Sequence, residues 1–170
     1  MQDRDTDLHY FHLPSGSKPP IVERQPYRVV VLIEQEVTAE WQDMVSDWII
    51  ESGCLFMMAW GLNCSGWDDS VDWANRRAFE PEEIPDDDFV MTSWHDNEPM
   101  DEGFVFCRLC AFHPTIELPK VIILDITGNA RSVEITNRFW NSLDGLDDGP
   151  SEPTLLTRLT GWFNRLIKPV

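Results

Sequence analysis

Acidic residues and one histidine follow two of the segments that the sequence predicts to be buried strands. Glu34 ends the first of these strands and Glu36 follows it, and His95 and Asp96 come after the third. Carboxylates and an imidazole can hold a divalent cation, and a histidine oriented by a carboxylate can act as a general base. If the four predicted strands lie in the order second, first, third, fourth, these residues meet where parallel sheets bind ligands. The pattern then predicts a carboxylate and histidine site at the carboxyl edge of the sheet.

The same residues also have purely structural explanations. Asp68 and Asp69 follow Ser65 in a predicted helix, where the positive dipole end stabilises a negative charge. Asp96 can cap the next helix, and His95 can hydrogen-bond a neighbouring loop. Both interpretations remain open on the sequence alone. A pocket that holds Glu34, Glu36, His95 and Asp96 within about 3–5 Å of each other would favour a catalytic or metal-binding role.

Cys107 and Cys110 form a CxxC pair, and His113 follows three residues later. Zinc needs about four ligands in tetrahedral geometry, and Cys64 would have to supply the fourth. The alternative is that both cysteines are small apolar residues on a buried helix face. The second interpretation is favoured, so neither a metal nor a cofactor is expected.

The common catalytic motifs are missing from the chain. It contains no glycine-rich dinucleotide motif, no P-loop, no nucleophile elbow and no zinc-binding HExxH helix. Asp125 ends a predicted strand, as the acceptor of a response regulator does, but the acidic pair that such a domain needs is only loosely matched.

Apolar runs and helical periodicity alternate along the chain. Strands are predicted at 28–34, 54–60, 89–94 and 120–126. Between them the spacing predicts helices after Thr38, over 67–78 and over 99–112, and a short strand or helix over 132–143. This alternation predicts an α/β protein with a single three-layer α/β/α domain and a mainly parallel, four-stranded sheet of Rossmann-like or flavodoxin-like type.

The composition divides the chain into four parts: a polar leader at 1–26, the α/β domain at 27–143, a linker at 144–153 and an amphipathic helix at 154–170. Within the leader, residues 8–13 are apolar enough to pack on the domain. The final helix carries three basic residues and no acid, and it could cover the domain, dock in a partner's groove or lie on a membrane surface. Its partner or tether face would consist of Leu155, Leu159, Trp162, Phe163 and Leu166.

The charge limits the possible partners. Thirteen basic and 30 acidic residues give a net charge of −17, which argues against binding to nucleic acid or anionic lipid. Residues 80–88 hold six acids and form either a solvated loop or a docking surface for a basic partner. The chain also has eight tryptophans, which are expected in the core or on a partner surface. Candidates for that surface are Trp60, Trp67, Asp68, Asp69 and Trp94.

Two segments carry a family resemblance. They are MMAWGLNCSGWDDSVDWAN at 57–75 and FVMTSWH at 89–95. Together they resemble an uncharacterised family of small bacterial proteins known only as a domain of unknown function, over about residues 10–127. The resemblance implies a bacterial source and a compact α/β domain, and it implies no activity.

The sequence therefore favours a non-catalytic, acidic interaction protein of accessory or immunity type that binds a basic protein partner. A cytoplasmic location is expected because acids stand where a signal peptide would be basic. The alternative is a small enzyme or ligand sensor that uses the carboxylate and histidine site, with or without a metal.

Overall fold

The computed structural model describes residues 6–144, which form one parallel sheet with helices on both faces. The spatial order of the strands is β1-β5-β2-β3-β4, and every neighbouring pair is parallel. The predicted α/β class is confirmed, with five strands instead of four. The strands are β1 (Asp7–His12), β2 (Tyr27–Ile33), β3 (Cys54–Gly61), β4 (Met91–His95) and β5 (Lys120–Ile126).

Four helices complete the three layers, together with a short 3-10 turn at Asp86–Asp88. Two of them pack against one apolar cluster on one face of the sheet, and the other two pack against a second cluster on the opposite face. The first pair is α1 (Ala39–Glu51) and α2 (Cys64–Phe79), and the second is α3 (Met100–Leu109) and α4 (Ser132–Asn141).

The central strand β2 shows why a continuous apolar run was required. Val29 and Val31 contribute to the cluster under α1 and α2, whereas Val30 and Leu32 contribute to the cluster under α3 and α4. Successive side chains of a strand point to opposite faces, so a strand covered on both faces is apolar over most of its length.

The first strand lies inside the segment expected to be a polar leader. Residues 7–12 pair with β5 in register from Asp7 opposite Lys120 to His12 opposite Asp125. Leu8 and Tyr10 pack on the second apolar cluster. An edge strand has one neighbour and one solvated side, so its sequence is too polar to resemble the central strands.

The strand order assumed for the candidate site is wrong. The strand at 120–126 lies between β1 and β2, and the strand at 91–95 lies at the far edge. Every residue of β5 is buried, which suits a central position, whereas β4 is only partly buried. From β2 the chain adds β3 and β4 on one side and then returns to add β5 on the other side. The topological switch point therefore lies between β2 and β5.

The second helix starts earlier than predicted, and the cap predicted for the third helix is wrong. The second helix begins at Cys64, after Asn63 in a left-handed conformation, so Ser65 is not its cap and Asp68 lies beyond the first turn. The third begins at Met100 after Pro99, with no side-chain cap from Asp96. The segment expected to be a short strand or helix at 132–143 contains α4.

The expected helix at 154–170 and nearly all of the linker at 144–153 lie outside the described residues. Within residues 6–144, no helix is long and apolar enough to cross a membrane.

Candidate functional site

The carboxyl edge at the switch point is organised around one buried carboxylate. Asp125, near the end of β5, is fully buried. Arg131 donates to both of its oxygens, from Nε to Oδ2 at 3.1 Å and from Nη2 to Oδ1 at 3.0 Å. The Tyr10 hydroxyl of β1 donates to the same Oδ2 at 2.7 Å. A phosphoryl acceptor needs an accessible oxygen, so this arrangement does not favour the receiver interpretation.

The arginine also joins the neighbouring strand. Its Nη2 lies 2.8 Å from Oε1 of Glu34, and its backbone N–H donates to the Tyr10 hydroxyl at 3.0 Å. Hydrogen bonding to Asp125 raises the pKa of Arg131, and Glu34 adds to the rise. Burial raises the pKa of Tyr10 to about 12. The network ties β1, β2, β5 and the start of α4 together.

The loop after β1 lies over the end of β2. The Ser15 backbone N–H donates to the Gln35 side chain at 3.0 Å, and its hydroxyl donates to the backbone carbonyl of Glu36 at 3.2 Å. The Glu36 side chain is exposed. The switch point is therefore occupied by the protein's own contacts.

The structure does not bring the four proposed catalytic residues together. Glu34 and Glu36 follow β2, whereas His95 ends β4, and β3 lies between these strands. Two strand spacings amount to about 10 Å. Asp96 is exposed beyond the end of β4, and Glu34 pairs with Arg131.

His95 instead has partners in its own strand and in the loop that follows, and the hydrogen bond to that loop confirms the structural interpretation of this residue. Its ring is 3% exposed and packs edge-on against Phe106 at a centroid distance of 4.9 Å. Nδ1 lies 3.1 Å from Oε2 of Glu98, and Nε2 lies 3.5 Å from Oγ of Ser93. With Nδ1 protonated, the three groups form a chain of carboxylate, imidazole and hydroxyl. The i, i+2 spacing of Ser93 and His95 on one strand was the available signal.

Both cysteines of the CxxC pair belong to the second apolar cluster. Cys107 and Cys110 are buried thiols, and burial raises the pKa of Cys110 to about 11. His113 Nε2 donates to the Phe89 carbonyl at 3.0 Å, and Nδ1 accepts from the Ile116 backbone N–H at 3.3 Å. Within residues 6–144, no three histidine, cysteine or acidic side chains are grouped to hold a metal.

Two of the predicted surface residues belong to the interior. Trp67 is 1% exposed and Asp68 is 2% exposed. The Trp60 indole donates to the backbone carbonyl of Glu98 at 2.7 Å. Trp94 is partly buried against the first apolar cluster, and Asp69 is exposed on α2.

Two exposed aromatic residues lie elsewhere, beside Asp69. Trp73 of α2 is 58% exposed, and Phe89, just before β4, is 47% exposed. The Arg76 guanidinium lies over the Trp73 ring at 5.7 Å from its centroid. Together these residues border a groove of about 340 Å³, here called the acidic groove. Its lining is Asp69, Asp72, Trp73, Asn75, Arg76, Ile84, Phe89 and Val90.

The name reflects the charge around the groove. Residues 69–90 contain eight acids and two arginines, a net charge of −6. Six of the acids lie within 80–88. In the described part of the chain, no basic side chain forms an ion pair with any of these six, whereas Arg77 pairs with Asp47 of α1 at 2.8 Å.

Asn75 holds the acidic segment against α2. Its side chain is 3% exposed, and it donates to the Asp88 carbonyl at 3.2 Å and accepts from the Val90 backbone N–H at 3.1 Å. The Thr92 hydroxyl of β4 donates to Asp72 at 2.9 Å. These bonds fix the acids and the two aromatic rings relative to each other.

Comparison with known proteins gives one match. A family model described as a domain of unknown function (DUF7684) matches residues 8–142, from β1 to the end of α4. No curated protein and no solved structure matches the chain.

Proposed function

The chain belongs to this family of domains of unknown function (DUF7684), and from its geometry we propose that it is a non-catalytic interaction protein whose acidic groove binds a basic protein partner. The observation that carries the proposal is the groove itself. Two exposed aromatic rings stand in a fixed position beside a strongly acidic segment. An accessory or immunity-type role, in which the protein covers a basic surface of its partner, fits this arrangement.

The charge supports both the class of partner and its rate of approach. Carboxylates that form no ion pair attract a positive surface over a distance set by the ionic strength. Complementary charge raises the association rate and excludes partners of the same sign. The net charge of −6 over residues 69–90 therefore selects a basic partner.

The aromatic residues supply the apolar part of the contact. Interface energy is concentrated in a few anchors, among which tryptophan is enriched. Trp73 and Phe89 are 58% and 47% exposed, so their burial by a partner would remove much apolar surface from water. The charged rim would set the orientation, and the two rings would set the affinity.

The alternatives have less support. The predicted catalytic residues are spread over two separate parts of the carboxyl edge, and the buried carboxylate of Asp125 is saturated by Arg131 and Tyr10. For location, the proposal places the protein in a reducing cytoplasm, because all four of its cysteines are buried thiols. A bacterial source remains what the resemblance implies.

The binding test uses a labelled peptide that repeats lysine-lysine-valine-valine, so that each face of an extended strand carries both residue types, and two matched tryptophan variants. Trp73 and Trp140 are both exposed, and each lies about 5.6–5.7 Å from an arginine. Trp73→Ala is expected to weaken peptide binding, measured by fluorescence anisotropy, by about ten-fold or more. Trp140→Ala, on α4, should leave it nearly unchanged. Equal losses in both variants, or no binding to the wild type, would overturn the proposal.

One observation favours a second candidate function. The Ser93, His95 and Glu98 chain has the order of groups that activates a serine for acyl transfer. Ser93 is only 7% exposed, so a substrate would need this end of β4 to open. A fluorophosphonate probe that labels the wild type but not Ser93→Ala would establish this activity, and equal labelling of both would exclude Ser93 as the nucleophile.

A further inference from the structure

We propose that the basic partner binds as an added β-strand along the free edge of β4, with one apolar side chain between Trp73 and Phe89. This inference rests on the proposed function and specifies the conformation of the bound segment. The strand order places β4 at the end of the sheet, and its one strand neighbour within residues 6–144 is β3. An edge strand offers backbone donors and acceptors with which an extended peptide can pair.

The sequence of β4 lacks two residue types that commonly block an edge. Natural edge strands are commonly blocked by lysine or proline. The segment Met91–His95 reads MTSWH and contains neither. It is partly buried and only five residues long, so an added strand would pair over a short length and would need side-chain contacts as well.

Those side-chain contacts lie next to the edge. Val90 lines the acidic groove and directly precedes β4, and the Thr92 hydroxyl is bonded to Asp72 of the same groove. Alternate side chains of an extended segment point to the same face. One set would therefore point toward α2, where basic residues meet Asp69 and Asp72 and an apolar residue meets Trp73.

Charge decides between the candidate occupants. A second copy of this chain could pair edge to edge, but each copy would bring the same net charge of −6 over residues 69–90 to the contact. Like charges at close range are unfavourable, and nucleic acid or anionic lipid would be repelled for the same reason. An extended basic segment both pairs with the edge and neutralises the acids.

The test uses two peptides that differ only in where they are N-methylated. Alternate residues of an added strand direct their N–H groups to the neighbouring edge. Both peptides are N-methylated at every second residue. In one peptide the methylated residues are those whose N–H groups point toward β4, so these donors are lost. In the other peptide the methylated residues point away from β4, so the donors remain. The two peptides have the same charge and composition. We expect the first peptide to bind about ten-fold or more weakly than the parent peptide, and the second to bind nearly as the parent does.

The outcomes separate this inference from the proposed function. If the parent peptide binds, Trp73→Ala weakens it and the two methylated peptides bind equally, strand addition is overturned and the docking function stands. If the parent peptide does not bind at all, the proposed function fails and the inference fails with it. Amide hydrogen exchange gives a second readout, because the bound peptide should slow exchange at β4 and leave β1 unchanged.

Discussion

Asp125 is a fully buried carboxylate, and Arg131 donates to both of its oxygens. Removing one partner of a buried ion pair leaves the other charge desolvated and without compensation. The same arginine reaches Glu34, whose side chain is 40% exposed and therefore retains water. The two carboxylates contact one guanidinium but should differ strongly in their contribution to stability.

The first prediction compares these two contacts. Arg131→Ala should lower the free energy of unfolding by about 3–5 kcal/mol, because Asp125 loses its cationic partner while it stays buried. Glu34→Gln should lower it by about 1 kcal/mol or less, because exposed ion pairs contribute little. Urea denaturation measures both values. Similar losses in the two variants would show that Asp125 does not depend on Arg131.

The second prediction concerns the two tyrosines of the chain. Burial raises the pKa of Tyr10 to about 12 and raises that of Tyr27 well above its usual value. The native protein should therefore show almost no phenolate absorbance at pH 10, where an unfolded tyrosine is about half ionised.

Linkage gives the accompanying change in stability. Both phenols favour the folded state when neutral, so their contribution is complete below about pH 10 and is lost as the pH rises toward and beyond about 12. Absorbance titration of the native protein and of the protein in urea checks the pKa shift. Native tyrosines that ionise together with unfolded ones near pH 10 would contradict it.

At the scale of elements, the sequence predicted what depends on local pattern. Continuous apolar runs marked β2, β3 and β5, and a stripe with helical spacing marked α1. The sequence did not reveal β1, because an edge strand with a solvated side lacks such a run. It also did not reveal the strand order, because the insertion of β5 between β1 and β2 depends on packing between distant segments.

The third prediction uses two glycines. Gly61 ends β3 with φ +103°, and a Cβ built there would lie 2.2 Å from the Ile33 carbonyl oxygen. Gly61→Ala should therefore lower the free energy of unfolding by more than about 1 kcal/mol. Gly103, within α3, has no atom within 4 Å of an added Cβ. Gly103→Ala should raise stability by about 0.5–1 kcal/mol through helix propensity.

Denaturant midpoints of the two variants measure both effects against the wild type. The opposite signs make the comparison specific. Destabilisation by Gly103→Ala, or tolerance of alanine at Gly61, would contradict the local geometry of these elements.

At the scale of the whole molecule, the sequence predicted a basic partner, and the structure changes which aromatic residues are exposed to bind it. The six acids at 80–88 and the surplus of tryptophan were visible, and a basic partner was inferred from them. Trp67 proved to be core, whereas Trp73 proved to be exposed. Trp73 lies two residues beyond Val71, about 200° around the helix from that buried position, so helical periodicity could have identified it.

The expected catalytic cluster could not have been tested without the topology. Glu34 and His95 would be brought together only by one particular strand order, and β3 separates their strands. The acidic groove depends less on strand order, because α2, the acidic segment and β4 follow each other along the chain. It was therefore the more predictable of the two sites.

The most direct measurement compares peptide binding to two variants with equal total charge. One variant replaces Asp86, Asp87 and Asp88 with asparagine. The other replaces Glu36, Glu117 and Glu134 with glutamine, which are exposed acids outside the groove. Each set removes three negative charges and changes the net charge from −17 to −14.

The aspartate variant should bind the lysine and valine peptide about ten-fold or more weakly than the wild type, because it loses three charges of the acidic segment that directly precedes Phe89. The glutamate variant should bind nearly as the wild type does. Equal weakening of both variants would mean that only the overall charge attracts the peptide, and it would contradict a docking site at the acidic groove.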